Sequence, residues 1–325
     1  MISVKRFFIK VFIFSILVIG SVILLDRFFV WQSYPYEYLG GMLNDKHRIA
    51  EQTLSPKLLW VGGSSGSFGI NSDTLQNHIG LRVVNMAFIA PLGTYFLMND
   101  ALKEVKKGDK VFISTEYDIN KYSTADVIFS AVDYYPDGAK YIKKDTSVTE
   151  FVGNHIKHRL SNIRKLFWNT VGKNKAPGAN IEDSTSVYFR SAFSPKGDII
   201  SHVNNFPNKV NYTLFPKKEI DYSEQVKDIN NLVTAAQKKG AEVYFVFPPL
   251  AKSTYLYGQK AVNSVEAQIK AGVKCQVLGS AKDFVYEDSA FFDTFYHLNP
   301  ASRDTNTLKI IELYKRKAVT QHIGQ

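Results

Sequence analysis

The sequence is poor in cysteine, and this scarcity limits how the fold can be held together. Cys275 is the single cysteine among 325 residues. An intramolecular disulfide framework and a zinc site with several cysteine ligands are therefore both excluded. Cys275 lies in a predicted strand, where we expect a buried apolar residue. The folded part must be stabilised by its hydrophobic core.

Long apolar runs are also scarce. A mean hydropathy of −0.14 excludes a polytopic membrane protein, and one run stands out, at residues 7–25. As a helix this run would be about 28 Å long, close to the hydrocarbon thickness of a bilayer. Lys5, Arg6 and Lys10 lie at its start, and cationic residues are retained on the cytoplasmic side.

This run predicts an uncleaved single-pass anchor in the cytoplasmic (inner) membrane. The amino terminus would lie inside, and the main domain would be extracytoplasmic, in the periplasm or at the cell surface. No Ala-x-Ala-like cleavage site follows the run, and Trp31 suits an interfacial position. A cleaved signal peptide and a buried helix of a soluble protein are the alternatives.

Acidic residues are the minority among the charged ones. Lys and Arg number 40 against 30 Asp and Glu, a formal net charge of +10. This balance favours a partner that bears phosphate or carboxylate groups. No nucleic-acid recognition motif accompanies the charge, so nucleic acid is not an expected partner. A hydrophobic content of 45% excludes a wholly disordered chain.

Residues 121–220 carry most of this excess charge, with 15 Lys and Arg against 9 Asp and Glu. They are also rich in aromatic residues and interrupt the regular pattern of the flanking sequence. One interpretation is a cap that shapes a groove for an anionic or sugar-rich ligand. The other is a solvated insertion whose charges keep it soluble.

The rest of the chain alternates short apolar runs with helical patterns. Strands are predicted at 57–62, 82–86, 110–114, 242–247 and 273–277, and helices from Ser72 and over 91–107, 222–239, 255–271 and 300–317. This order predicts an α/β fold with a parallel sheet covered on both faces. Five such strands suit a flavodoxin-like three-layer sandwich, whose sites lie at the carboxyl ends of the strands.

The predicted organisation has four parts. Residues 1–32 form a cytoplasmic tip and transmembrane anchor, and residues 33–56 form a linker. Residues 57–120 and 221–325 form the α/β domain, and residues 121–220 form the insertion.

A serine-rich turn follows the first predicted strand. It reads Gly62-Gly63-Ser64-Ser65-Gly66-Ser67-Phe68-Gly69. A serine on a tight strand-to-helix turn can project its hydroxyl from the edge of the sheet, while nearby N–H groups point to a developing oxyanion. Gly/Ser-rich turns without any catalytic role are common. No Gly-Lys-Ser/Thr follows, so the turn is not a phosphate-binding Walker loop.

An acid–base pair lies just before the last helix, in Phe291-Phe292-Asp293-Thr294-Phe295-Tyr296-His297. A serine nucleophile needs a base that accepts its proton near neutral pH and a carboxylate that holds the imidazole in the correct tautomer. His297 and Asp293 on one short loop can supply both. A purely structural pair, such as a helix cap, is the alternative.

Together these two blocks resemble the SGNH/GDSL hydrolase superfamily. The similarity is to its membrane-anchored extracytoplasmic branch, which includes the D-alanine transfer protein of teichoic-acid assembly and alginate-acetylation proteins. The family motif Gly-Asp-Ser-Leu-x-x-Gly aligns with Gly63–Gly69, so the resemblance implies Ser65 as the nucleophile. The Asp-x-x-His motif corresponds to Asp293 and His297, with one extra residue between them.

The resemblance also implies an oxyanion hole, for which this sequence departs from the family pattern. Ala87 stands where the family has a glycine N–H donor, and the N–H of Ser65 and that of Gly66 would complete the set. The family's asparagine after the third strand has no counterpart before Asn120. Glu116 and Asp118 end that strand and are expected to line the pocket, unless they are ordinary loop carboxylates.

The resemblance implies acyl-ester chemistry, as a serine-dependent O-acyl (acetyl) transferase or a carbohydrate esterase. The expected partners are a cell-surface polysaccharide and a membrane acyl-donor protein, with no cofactor and no metal. The alternative is a catalytically inactive glycan-binding or assembly component of a polysaccharide biosynthesis or export system. Three further groups have weaker claims to a site: Arg190, the Gly197-Asp198 turn, and the pair His155 and His158, which could offer a metal two ligands.

Overall fold

A computed structural model describes residues 4–34, 38–143, 147–171, 187, 189–202 and 210–323. Its centre is a five-stranded sheet formed by β1 (Lys57–Gly62), β2 (Arg82–Asn85), β3 (Lys110–Ser114), β4 (Glu242–Val246) and β6 (Gln276–Leu278). All neighbouring strands are parallel, and their order is β2-β1-β3-β4-β6. This is the flavodoxin-like order, so the predicted fold class is confirmed. A small second sheet pairs β5 (Leu250–Ala251) with β7 (Val285–Tyr286).

Helices cover both faces of the main sheet. The α-helices of the described part of the chain are α1 (Val4–Ser33), α2 (Leu39–Gln52), α3 (Ser64–Gly69), α4 (Ser72–Ile79), α5 (Gly93–Ala101), α6 (Ala125–Tyr134), α7 (Val148–Val171), α8 (Ser223–Lys238), α9 (Lys252–Tyr257), α10 (Gln259–Gly272) and α11 (Pro300–Ile323). Helices α5, α8 and α10 form one layer, and α4 and α11 lie in the other. The strands are apolar on both faces because both are buried.

The packing of the strands against α11 shows how register builds the core. Trp60, Phe112 and Tyr244 occupy matching positions on three adjacent strands, so they point to the same face of the sheet. The ring of Tyr314 from α11 lies 5.5 Å from that of Phe112 and 5.3 Å from that of Tyr244. These large rings fix α11, and with it the loop that precedes it.

The segment predicted as a linker, 33–56, contains the helix α2 instead. Met42, Leu43 and Ala50 are buried on one side of α2, which packs against β2 and α6. The apolar side chains recur at helical spacing, but this short pattern is interrupted by two glycines and was not distinctive in the sequence. The α/β domain is therefore covered by a helix that comes from outside the predicted domain boundaries.

Part of the insertion returns to the sheet. The N–H of Asn85 donates to Lys196 O (2.7 Å), and that of Ile199 donates to Ser67 O (3.0 Å). Phe193 and Ile199 form an antiparallel bridge within the returning segment. Residues 190–202 consequently pack beside the carboxyl ends of β1 and β2, where the candidate site lies.

Helix α1 projects its apolar surface away from the domain. Its stretch Val4–Gln32 is long and apolar enough to cross a membrane, and none of its most apolar window is buried. It is consistent with a single-pass membrane anchor. Near the end of the helix, the Asp26 carboxylate is buried against α7 and pairs with Arg159 at 2.9 Å.

Candidate active site

The turn between β1 and α3 carries the candidate nucleophile. Gly63 caps the amino terminus of α3, and Ser64 is the first residue of that helix. A Cβ atom at position 63 would lie 1.9 Å from Glu116 Oε2, so a larger residue here would have to displace the Glu116 carboxyl group. The turn places the Ser64 hydroxyl at the carboxyl end of the sheet.

Ser64, His297 and Asp293 form a continuous chain of hydrogen bonds. Ser64 Oγ lies 2.8 Å from His297 Nε2, and His297 Nδ1 lies 2.7 Å from Asp293 Oδ1. His297 is 6% exposed, so its ring is held in a largely dry environment while the cleft remains open to Ser64. This is the arrangement of a nucleophile, a general base and the carboxylate that orients the base.

The structure assigns the position beside His297 to Ser64 and not to Ser65, the residue predicted from the motif. Ser65 is fully buried and does not line the cleft. Successive residues of a helix point about 100° apart, so only one of two adjacent serines can face His297. The alignment of the motif was displaced by one residue: the turn uses Gly62, Gly63 and Ser64.

Phe68 fixes the plane of the imidazole. Its ring is stacked on that of His297, with 4.1 Å between centroids and 8° between planes, and Phe68 is fully buried. Thr294 Oγ1 accepts the backbone N–H of His297 at 3.2 Å. The His297 ring is therefore held by packing on its face and by hydrogen bonds at both nitrogens.

The predicted oxyanion donors are engaged elsewhere. Gly66 N–H donates to Gly63 O (3.1 Å), and Ala87 N–H donates to Asn85 Oδ1 (3.0 Å). Neither residue lines the cleft. Ser65 N–H donates to Glu116 Oε1 (2.7 Å). Within the part of the chain that the structure describes, these three N–H groups thus already have acceptors.

Two other donors lie at the cleft. The backbone N–H of Ser64 lies at the amino terminus of α3 and has no acceptor among the described residues. Asn120, which follows β3 by six positions, lines the same cleft as Ser64. An amide side chain and a helix-terminal N–H are both suitable donors to a developing oxyanion.

Glu116 is a buried carboxyl group beside the serine turn. It is 1% exposed, and burial raises its pKa above the ordinary value, although the hydrogen bond from Ser65 N–H and the proximity of His297 oppose the shift. Tyr222 OH lies 2.9 Å from Glu116 O and from Thr115 Oγ1, which holds the backbone at this position. Glu116 was predicted to line the pocket, and the structure places it there.

Asp118 also lies in the cleft, as a more exposed carboxylate. Tyr296 OH donates to Asp118 Oδ1 (2.8 Å) and accepts the N–H of Tyr117 (3.0 Å). Tyr296 thereby joins the loop that carries Asp293 and His297 to the end of β3. The resulting cleft has a volume of about 510 Å³ and is open to solvent.

The cleft is built from four regions of the chain. Its lining residues come from the serine turn, from the segment after β2, from the segment after β3 with part of the insertion, and from the loop before α11: Ser64, Ala90, Pro91, Glu116, Asp118, Ile119, Asn120, Thr124, Asn211, Leu214, Asp293, Thr294, Phe295, Tyr296 and His297. A cleft of this volume is in the range of small-molecule binding sites.

The residues with weaker sequence claims lie outside the cleft. Arg190 pairs with Asp45 of α2 (2.7 Å), and Asp198 accepts hydrogen bonds from Ser72 and Asn85. His158 Nε2 bonds to Asp133 (2.6 Å), and no metal-binding cluster occurs among the described residues. Cys275 is half-buried, and burial raises the pKa of its thiol to about 12.

The chain has only distant similarity to known proteins. No protein-family model matches the sequence, and no curated protein matches it. Among solved structures, that of protein YxiM from Bacillus subtilis is similar with a TM-score of 0.35 and 11% sequence identity. The alignment covers 82% of this chain and 58% of that chain. Similarity at this level assigns neither a family nor an activity.

Two residues that matter to the site were not singled out in the sequence, and Asn120 was named there only as the first asparagine after the third strand. Phe68 stacks on His297, Tyr296 ties the acid–base loop to Asp118, and Asn120 lines the cleft. Phe68 and Tyr296 lie inside the two motifs, which is the signal that could have found them. Their roles depend on which way each ring points, and spacing alone does not specify this.

Proposed function

We propose that the chain is a membrane-anchored serine ester enzyme, an O-acyl (acetyl) transferase or esterase that acts on a cell-surface polysaccharide. The observation that carries this proposal is the hydrogen-bonded chain Ser64–His297–Asp293 at the floor of an open cleft. This geometry supports the resemblance to SGNH/GDSL hydrolases, with Ser64 in the role of nucleophile.

In the proposed reaction, Ser64 Oγ attacks the carbonyl carbon of an acyl ester while His297 Nε2 takes the hydroxyl proton. The charge that develops on the carbonyl oxygen is stabilised by the N–H of Ser64 and the side-chain amide of Asn120. When the C–O bond of the donor breaks, His297 returns the proton to the departing alcohol. An acyl-enzyme on Ser64 remains.

The second half of the reaction reverses these steps. His297 removes a proton from a hydroxyl group, whose oxygen attacks the acyl carbon and displaces Ser64 Oγ, and His297 then returns that proton to Ser64 Oγ. A sugar hydroxyl gives transfer, and water gives hydrolysis. Asp293 keeps Nδ1 protonated, so Nε2 is free to act as the base in both halves.

The substrate class is supported by location and charge. The helix α1 would hold the domain at the membrane, and Lys5, Arg6 and Lys10 favour an extracytoplasmic orientation. The excess of basic residues in 121–220 suits an anionic polysaccharide. A membrane protein that delivers the acyl group is the proposed partner.

Labelling with a fluorophosphonate tests the chemistry independently of the natural substrate. The full-length chain in detergent is treated with the probe, and the modified residue is identified by mass spectrometry. We expect the wild type to be labelled on Ser64 and Ser64→Ala or His297→Ala to lose labelling by at least about a hundred-fold. Ser65→Ala is the matched control and should keep most of the labelling. Equal labelling of all four proteins would contradict the proposed triad.

A second candidate function follows from Glu116. Its carboxyl group accepts the N–H of Ser65 that the resemblance would assign to the oxyanion hole. Because this N–H already has an acceptor, it does not point to an oxyanion, which suits a non-catalytic component that binds glycan in a polysaccharide assembly or export system. Glycan binding that is unchanged in Ser64→Ala, together with no labelling of the wild type, would favour this second function.

A further inference from the structure

Helix α7 presents an unpartnered apolar stripe, which we define as Val152, Ile156 and Leu160. These side chains are 46%, 52% and 55% exposed. They follow one another at four-residue intervals, so they occupy about 80° of the helix circumference and form one continuous face. Three large apolar side chains on one exposed face are typical of a surface that meets another apolar phase.

The opposite side of α7 packs against α6. His158 Nε2 and Asn162 Nδ2 bond to Asp133 Oδ2 of α6 at 2.6 and 3.0 Å. His158 and Asn162 are buried, and Phe129 of α6 packs against the rings of Phe151 and His155. The helix therefore cannot rotate to bury the stripe without breaking these contacts.

An ion pair sets the position of α7 along α1. Arg159 Nη1 lies 2.9 Å from Asp26 Oδ2, and it also pairs with Asp133 at 2.5 Å. Asp26 directly follows the apolar run 7–25, so Arg159 lies at the level where that run ends. On the helix, the stripe begins about 20° from Arg159 and is continuous with the side that contacts α1.

Cationic side chains flank the stripe. Lys157 and Arg164 are exposed and lie on the edge of the stripe that is farther from Arg159. An amphipathic helix with an apolar face and basic flanks is typical of segments that lie in the interfacial region of a bilayer with anionic lipids.

We propose that the apolar stripe of α7 docks into the interfacial region of the bilayer that α1 spans, with Lys157 and Arg164 beside anionic headgroups. This inference rests on the proposed anchoring by α1. The chain then has two contacts with the membrane, one through α1 and one along α7. Two contacts hold the domain in one orientation relative to the membrane, whereas a single helix would leave that orientation variable.

Site-specific fluorescence in lipid nanodiscs tests the docking. An environment-sensitive probe is attached to Ile156→Cys, Leu160→Cys or Ser161→Cys in a full-length Cys275→Ser background. Ser161 is exposed and points away from the stripe, so it is the matched control. The measurement is quenching by a nitroxide carried on the lipid chains near the headgroup.

Quenching should be several-fold stronger at 156 and 160 than at 161, and stronger in nanodiscs with anionic lipid than in zwitterionic ones. Replacing Lys157 and Arg164 by glutamine should remove the dependence on anionic lipid. Equal quenching at all three positions would overturn the proposal. So would a blue-shifted but unquenched probe at 156, because a protein surface and not lipid would then cover the stripe.

A probe at Val18→Cys separates this inference from the anchor itself. Deep quenching at 18 with none at 156 would contradict only the docking of α7, whereas no quenching at 18 would contradict the anchor. The readout involves no catalysis, so loss of the Ser64 chemistry would leave it unaffected.

Discussion

Glu116 puts a carboxyl group into the interior next to the serine turn. Oε1 accepts one N–H, from Ser65, and Oε2 is buried without a hydrogen-bond partner in the described part of the chain. A buried carboxylate with one donor is poorly compensated, which is why burial raises the pKa of Glu116. Burial therefore disfavours the ionised form of Glu116 in the folded protein relative to the unfolded one.

Replacing Glu116 by glutamine should therefore stabilise the protein above the pKa of Glu116. Gln keeps an acceptor for Ser65 N–H and carries no charge. Because the folded pKa of Glu116 is raised, the wild type loses stability as pH rises from about 4.5 through that pKa, and the variant does not. We expect the Tm of Glu116→Gln to exceed that of the wild type by roughly 2–5 °C at pH 8. The gap should close toward pH 4.5.

Glu219→Gln is the control for this prediction, since the same substitution there removes an exposed carboxylate. Its Tm should differ little from that of the wild type at both pH values. A Glu116→Gln protein that is less stable than the wild type at pH 8 would show that the ionised carboxylate is needed by the fold.

At the scale of elements, α2 is joined to α5 through a buried histidine. His47 Nε2 lies 2.7 Å from Asp100 Oδ2, and His47 Nδ1 lies 2.8 Å from Glu104 Oε1. Tyr135 stacks on the His47 ring and donates to Asp100 (2.7 Å). Burial disfavours the charged ring, but the hydrogen bonds that the ring donates to these two carboxylates outweigh the cost of burial and raise the pKa of His47 to about 9.

The contact between α2 and α5 should consequently weaken at alkaline pH. A raised folded pKa means that the stabilisation is complete below about pH 6.5 and is lost as pH rises through about 9. His47→Gln should lower the free energy of unfolding by about 2–3 kcal/mol at pH 6 and by much less at pH 9.5. Urea denaturation in detergent at both pH values measures this difference.

Arg48→Gln provides the matched control on the same helix. Arg48 pairs with Asp45 at the surface, and such pairs contribute about 0.5 kcal/mol or less. A cost of His47→Gln that is independent of pH would contradict the assignment of a charged His47.

At the scale of the whole molecule, the insertion and the α/β domain are joined by a buried polar network around Asp198. Its carboxylate accepts hydrogen bonds from Ser72 N–H (2.9 Å), Ser72 Oγ (2.6 Å) and Asn85 Nδ2 (2.8 Å). The ammonium group of Lys46 donates to Asn85 O and Gly197 O, both at 2.7 Å. Burial lowers the pKa of Lys46 to about 7, and Asp198 opposes that shift.

Removing this carboxylate should loosen the insertion and the serine turn together. Asp198→Ala leaves buried donors without an acceptor, so we expect a loss of about 3 kcal/mol in the free energy of unfolding. Asn85 also bonds Gly66 O (3.2 Å), so labelling of Ser64 should slow as well. Asp73→Ala is the control, because Asp73 is an exposed partner of Lys196, which lies two residues before Asp198. This variant should change neither the free energy of unfolding nor the rate of Ser64 labelling appreciably.

Much of the fold was predictable because the elements are strongly patterned. The first four strands lie within a residue of their predicted bounds, since each is an apolar run that both sheet faces bury. The fifth, predicted at 273–277, begins instead at Gln276, and the helix predicted at 255–271 is two helices divided at Gly258. Element ends depend on local caps and packing, which periodicity does not report.

The site was predictable only in part. Asp293 and His297 lie on one loop, so their pairing followed from proximity in the chain. The engagement of the Gly66 and Ala87 N–H groups depended on the conformation of two short turns, in which Gly63 O and Asn85 Oδ1 accept them. The choice between Ser64 and Ser65 depended on contacts with His297 and Glu116. These partners are remote in sequence, so no local spacing reveals them.

The sequence by itself determined that the chain has an apolar segment long enough to cross a bilayer as a helix, an α/β core and no intramolecular disulfide. These properties follow from composition and from periodicities of a few residues. Only the tertiary structure decided which serine faces His297, because one step along α3 turns a side chain by about 100°. It likewise decided that Asp198 of the insertion supports the serine turn and that Arg159 holds α7 against α1, since both contacts span more than a hundred residues.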